Sequence, residues 1–381
     1  MYLVINCFQK GAKPMITWHE ELSFDFSNSI TDRYFTEHAL FFDIETTGFS
    51  AAHTSLYLIG CATRHGSQIH LDQFFAEKKE DEPEVLRSFS TLLAQYDTII
   101  SFNGIGFDIP YLKAKYSAHG IPDPFVGCSC LDLYKKISGL KTLLSLPDLK
   151  QKSIEAFLGL TREDTCSGGE LIEVYRTYRK SPSADALALL RQHNHDDVLC
   201  MPRLLPILSY CSLFDSPHLL TAMEADEAKA PDGTVTRGLL FTMQIANPVP
   251  KQVSLRHDDC YLTASGNSLR LHIRLFDGVL SFFFDNPKDY YYLPAEDRAV
   301  HKSLASYVDP AHRRQATAAT CYTKKHALFL PQYDDLFSPA FRQKPKGSGR
   351  AKSYFELTES FADSAEEQTR YVHHLLSHMI C

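Results

Sequence analysis

The chain lacks most of the features that mark special classes of protein. No apolar run reaches the roughly 18 residues that a membrane span requires, so no membrane segment is expected, and the N-terminus lacks the charged, apolar and small-residue order of a secretory signal. The 10 cysteines fall without a repeating spacing, which argues against a disulfide framework and for a reduced, cytoplasmic protein. Cys128-Ser129-Cys130 is the single close pair. With no second pair and no nearby His, it reads as two small apolar side chains on a strand rather than as zinc ligands. Internal repeats are absent. The formal net charge of -7 excludes a protein that coats nucleic acid by bulk electrostatics.

What is present describes an ordinary folded chain: 44% hydrophobic, 22% charged and 12% aromatic over 381 residues, long enough for two or three domains. Residues 216–381 hold equal numbers of basic and acidic side chains, so the whole acidic excess falls on the first 215. From residue 39 the texture alternates strands with helices. ALFFDIET, LYLIGCATRHG and QIHLDQFF read as three strands, the last two joined by a turn at His65-Gly66-Ser67 short enough to force antiparallel pairing. A helix from Pro83-Glu84 to about Gln95, a strand DTIISFNG, a helix in GFDIPYLKAKYSAHG and a strand VGCSCLDLY follow. Residues 140–213 read as almost wholly helical, the last helix capped at Ser183 and bent or ended by Pro202 and Pro206. Short strands then dominate up to a closing helix from about Ser364 to Met379. This gives an N-terminal extension (1–35), an α/β domain (36–213), a connecting segment with a loop at PDGTVTRG (214–250) and a β-rich, α+β domain (251–381).

Two acids interrupt the first apolar strand. Side chains alternate along a strand, so Asp43 and Glu45 project from one face while Phe42 and Ile44 point to the other. Burying an unpaired carboxylate costs several kcal/mol, so something must neutralise the pair, either basic partners or a bound cation. A second signal is ISFNGIGFDIPYL: Asn103 and Gly104 end a strand, and Asp108 falls at the start of the next helix, at the carboxyl edge where open α/β sheets place their sites. The bland reading of Asp108 is a helix cap. The third is HNHDDVLCM, where His193 and Asp197 share a helix face at i and i+4; His195 and Asp196 point elsewhere and read as exposed.

In order and content these three stretches resemble the three motifs of the DEDD 3′–5′ exonucleases. Residues of about 36–210 are similar, more narrowly, to the YprB-type ribonuclease H-like domain. The resemblance implies a ribonuclease H-like mixed five-stranded sheet with flanking helices. It implies a metal-dependent nuclease that hydrolyses single-stranded DNA or RNA from a free 3′ end. Asp43, Glu45, Asp108 and Asp197 would be ligands of two ions, Mg²⁺ or Mn²⁺, in keeping with the preference of hard cations for carboxylate oxygen. His193 would orient or deprotonate the water, and Thr46, Thr47, Asn103 and Phe107 would hold the terminal nucleotide. One departure stands out: three residues separate His193 from Asp197, where the histidine branch of the superfamily usually has four.

For the β-rich domain two patterns bear on nucleic acid. Phe282, Phe283, Phe284 and Tyr290 to Tyr292, beside His301, Lys302, Arg313, Arg314, Lys324 and Lys325, read as an ordinary core with a solvated rim rather than as a stacking platform. Arg342, Lys344, Lys346, Arg350 and Lys352, with no acid between them, are the better candidates for phosphate contact. No protein partner is inferable. The competing functions are a catalytically silent nucleic-acid-binding or scaffold protein and a structure-specific endonuclease.

Overall fold

The computed structural model describes residues 15–162, 166, 168–229, 235–343 and 352–379. The chain divides into two compact units, Met1–Cys211 and Ser212–Cys381. In the first, β1 (Ile16–Ser23), β2 (Ala39–Thr46), β3 (Leu56–His65), β4 (Gln68–Phe75), β5 (Thr98–Ser101) and β6 (Ser129–Asp132) form one sheet in the order β1-β4-β3-β2-β5-β6, with a short helix α1 (Ser29–Tyr34) between β1 and β2. Pairing is antiparallel from β1 to β2 and parallel from β2 through β5 to β6. The sheet therefore has six strands, not five, and the expected N-terminal extension supplies its edge. ITWHEELS carries one polar face, which hides it in the sequence. In the structure its burial alternates residue by residue, Ile16, Trp18, Glu20 and Leu22 being the less exposed set, as a half-solvated edge strand should.

The central strand β2 is covered on both sides, which explains its near-continuous apolar sequence. Leu40, Phe42 and Ile44 pack beneath α2 (Glu82–Leu93) and α3 (Asp108–Ala118), against Val85, Phe89, Leu112 and Tyr116. The other face of the sheet carries α6 (Gly168–Lys180) and α7 (Ala184–Leu204), α4 (Leu133–Ile137) and α5 (Gln151–Leu158) preceding them in the chain. There Tyr57, Leu58 and Phe75 meet Leu171, Tyr175, Tyr178 and Leu190, and the Tyr57 and Tyr175 rings stack at 4.1 Å. Ser183 caps α7 by accepting from the Ala186 N–H. Pro202 lies inside α7 rather than ending it, and the chain tightens into a 3-10 turn only at Leu205–Tyr210. The helical run Ala184–Asp215 is long and apolar enough by composition to cross a membrane, but 67% of its most apolar window is buried inside the protein.

The second unit corrects the expected linker. Residues 214–250 are not a connection: β7 (Leu219–Lys229) and β8 (Val235–His257) fill most of them and form an antiparallel sheet with β9 (Cys260–Arg274). What the sequence punctuates as several short strands is two long ones, broken in register at Gln244/Val249 and Val249/Val253, where Pro248 and Pro250 withhold N–H donors. Residues 231–234 of the expected PDGTVTRG loop lie outside the described residues. Four further strands, Phe276–Phe283, Tyr322–Gln332, Phe341–Arg342 and Ser353–Glu356, close into a small barrel. Phe282 packs in its core, and Phe284, Tyr290 and Tyr292 pack in the neighbouring cluster, so these rings are structural. A helix, Ala365–His378, ends the described chain.

Candidate metal centre

Asp43 and Glu45 leave β2 toward the face covered by α7 and sit at the sheet's carboxyl edge. Glu45 is buried while Asp43 keeps partial access to solvent. α7 brings two residues of its own to them. The His193 ring nitrogen Nε2 lies 3.6 Å from Glu45 Oε1 and 3.2 Å from Asp197 Oδ2, so Glu45, His193 and Asp197 present ligand atoms all within 4.8 Å of one another. The i,i+4 spacing thus turns the imidazole onto its own helix neighbour as well as onto the strand. Asp108 is the first residue of α3 and is buried. Its carboxylate accepts from its own N–H and from the Ile44 N–H, which ties it to β2.

Electrostatics bind the four acids into one system. Burial pushes Asp43 far above the ordinary carboxylate range, the charges of Asp197, Asp108 and Glu45 push it further, and the Asn194 amide opposes them. Asp108 is pushed up to about 7, chiefly by burial, with Asp132 adding to it and the two N–H bonds resisting. Carboxylates that cannot all ionise side by side are relieved by protons or by a cation, and the donor set, all hard oxygen except one imidazole, fits a divalent metal.

Several further residues complete the site. The Asn194 side chain donates to Asp43 Oδ2 at 3.2 Å and accepts from Gln73 Nε2 at 3.0 Å. It reaches them because β3 carries Gly60 opposite Asp43, where a Cβ would lie 2.1 Å from Asn194 Oδ1. Arg162 reaches Asp197 Oδ1 at 2.5 Å and Glu155 at 3.1 Å, a positive counterweight that draws its own proton more tightly under the influence of those two acids despite burial. Asp132, at the end of β6, accepts from the Asn103 and Ile105 N–H groups at 3.0 and 3.1 Å. It thereby holds the turn before α3, where Asn103 takes a φ of 64°, a conformation Asn tolerates better than most residues. Of these, only Asp132, an acid just before a helix, carries a local cue.

The remaining expected site residues divide. Thr46 and Thr47 lie beside Glu45, but the Thr46 hydroxyl donates to Gly48 O at 2.9 Å and the Thr47 hydroxyl accepts from the Ser55 N–H at 2.9 Å. These side chains shape the loop after β2. Phe107 meets Phe49 edge to face at 5.9 Å, and Phe49 is 89% exposed. His195 and Asp196 are not exposed. Asp196 is buried and accepts from Gln192 at 2.8 Å, while His195 lies 3.3 Å from Glu20 of β1; the edge strand covers what the sequence leaves open. In the second unit Arg342 pairs with Asp335 and Lys352 with Asp259, so both cations already have acidic partners. Lys344, Lys346 and Arg350 lie outside the described residues.

A family description, the RNase H superfamily, matches residues 40–209. No curated protein matches the chain. Among solved structures, the family B DNA polymerase of Pyrobaculum calidifontis is 20% identical with a TM-score of 0.38, covering 47% of this chain and 26% of that one. E. coli exonuclease I in complex with a dT13 oligonucleotide is 12% identical with a TM-score of 0.32, covering 54% of each chain. The chain thus spans about a quarter of the polymerase and about half of exonuclease I. Every acid of the cluster lies inside the matched segment, which supplies five of the six strands of the mixed sheet and the flanking helices; the fold of residues 40–209 is ribonuclease H-like.

Proposed function

We propose that this domain is a metal-dependent 3′–5′ exonuclease acting on single-stranded DNA or RNA. The observation that carries the reading is the convergence of Asp43, Glu45, Asp108 and Asp197 from two strand positions and two helices into one cluster whose charges act on one another, with the His193 imidazole against two of them, Glu45 and Asp197. A purely structural role would favour apolar residues there, since replacing buried charge by packed hydrophobes is often neutral or stabilising.

In this reading Asp43, Glu45, Asp108 and Asp197 would hold two Mg²⁺ or Mn²⁺ ions. Bound there, the ions would supply an activated water and stabilise the leaving 3′ oxygen. The chain's own groups do the rest. His193 takes the water's proton at Nε2, with Glu45 and Asp197, 3.6 and 3.2 Å from that nitrogen, fixing the ring. Asn194 steadies Asp43 without adding charge. The Asp132-braced turn presents Asn103, and the Phe49–Phe107 pair offers an aromatic edge on which a terminal base can stack, an interaction worth about 1–3 kcal/mol per base. The cleavage pattern on matched substrates tests this. Linear single strands should shorten from a free 3′ end, while 3′-blocked and circular strands survive. Cleavage of circles would mean an endonuclease, and binding without turnover a silent nucleic-acid-binding protein.

A further inference from the structure

The opposite face of the same sheet carries a second group of ligand-type side chains. On β1, His19 and Glu21 lie two residues apart and so share a face. Across the strand pair His19 stands opposite Asp72 and Glu21 opposite His70. Gly60, beside the acid cluster, pairs with Gln73, so Asp72 and His70 point away from that cluster. The three side chains His19, Glu21 and His70 bring one ligand atom each to within 4.8 Å of one another. Both imidazole Nε2 atoms converge on one oxygen: His19 Nε2 is 3.6 Å and His70 Nε2 3.9 Å from Glu21 Oε1.

A second observation concerns the tautomer. His19 Nδ1 lies 2.8 Å from Asp72 Oδ1. A proton held on Nδ1 by that carboxylate leaves the Nε2 lone pair directed at Glu21, which is the outer-sphere arrangement that orients metal-binding histidines. The His70 ring is braced in turn by His65, stacked on it at 3.9 Å. Two imidazoles and one carboxylate suit a borderline transition ion and suit Mg²⁺ poorly. Bonds of about 2.0–2.2 Å at tetrahedral angles require ligand atoms about 3.3 Å apart, so closure needs only side-chain movements of an ångström or less.

We propose that His19, Glu21 and His70 form a binding site for a zinc-class divalent ion, with Asp72 as its positioning residue, separate from the acid cluster. A metal there would cross-link the edge strand β1 to β4 and leave at least one coordination position for water. Because both strands are already paired, the ion would stabilise the edge rather than create it.

Titration of the full chain with Zn²⁺ by calorimetry, in excess Mg²⁺ to occupy the carboxylate cluster, reads the site directly. Binding should weaken roughly tenfold or more in His19→Ala and His70→Ala and by about tenfold in Asp72→Asn, and should be unchanged in Asp197→Asn. Co²⁺ should show visible d–d absorption that disappears with His70→Ala. Equal affinity in wild type and His70→Ala overturns the proposal, as does loss of binding in Asp197→Asn alone, which would assign the zinc to the acid cluster. His19 is half exposed, so its removal leaves the fold intact, and circular dichroism of each variant checks that.

Discussion

At the scale of single residues, the acids in ALFFDIET are costly groups kept together by their surroundings. Asp108 makes the cost measurable. Its folded carboxyl holds a proton up to about pH 7, against an ordinary value of 3.8. The folded state therefore binds a proton that the unfolded chain releases. The resulting contribution to stability is fully present below about pH 4 and is lost as the pH rises through about 7. Metal-free protein should accordingly melt at falling temperature across that window, and Asp108→Asn should flatten the slope; identical slopes would refute the assignment. The four acids and His193 are legible in the sequence because each sits in a recognisable local pattern: a strand, a turn before a helix, an i,i+4 pair. Asn194 and Arg162 are not, because their partners Asp43 and Asp197 lie 151 and 35 residues away and nothing local marks the contact.

At the scale of elements, the site depends on how closely α7 approaches β3. Gly60 permits that approach: a Cβ there would lie 2.1 Å from Asn194 Oδ1 and 2.8 Å from Val198 Cγ2. Gly60→Ala should therefore push α7 outward and cost about 1–3 kcal/mol, the usual penalty of overpacking. It should also slow cleavage, since His193 and Asp197 ride on the same helix. A melting temperature and a rate both equal to wild type would show that the contact relaxes at no cost. The five strands other than β1 and the helices around them can be read from apolar runs and turn residues. The edge strand β1 cannot: ITWHEELS holds His19, Glu20 and Glu21 in succession and resembles a polar lead-in, until β4 supplies the partner that makes its alternation meaningful. The long strands β8 and β9 are hidden for the converse reason, since prolines and polar residues punctuate them at positions where bulges absorb the break.

At the scale of the whole molecule, the acidic excess of the first 215 residues belongs to the unit that carries the acid cluster, and the second unit is a separate β-rich body whose basic side chains Arg342 and Lys352 already have acidic partners. In the proposed function the cluster binds divalent metal so that the domain can cut a phosphodiester chain. Digestion of end-labelled single-stranded DNA and RNA in Mg²⁺ or Mn²⁺, comparing wild type with Asp43→Ala, tests it most directly. Metal-dependent shortening of at least one polymer from its 3′ end is expected, slowed by roughly a thousandfold or more in the variant, in line with the several kcal/mol of charge stabilisation a bound ion supplies. Wild-type protein that cuts neither polymer in either metal, or a variant as active as wild type, would contradict it.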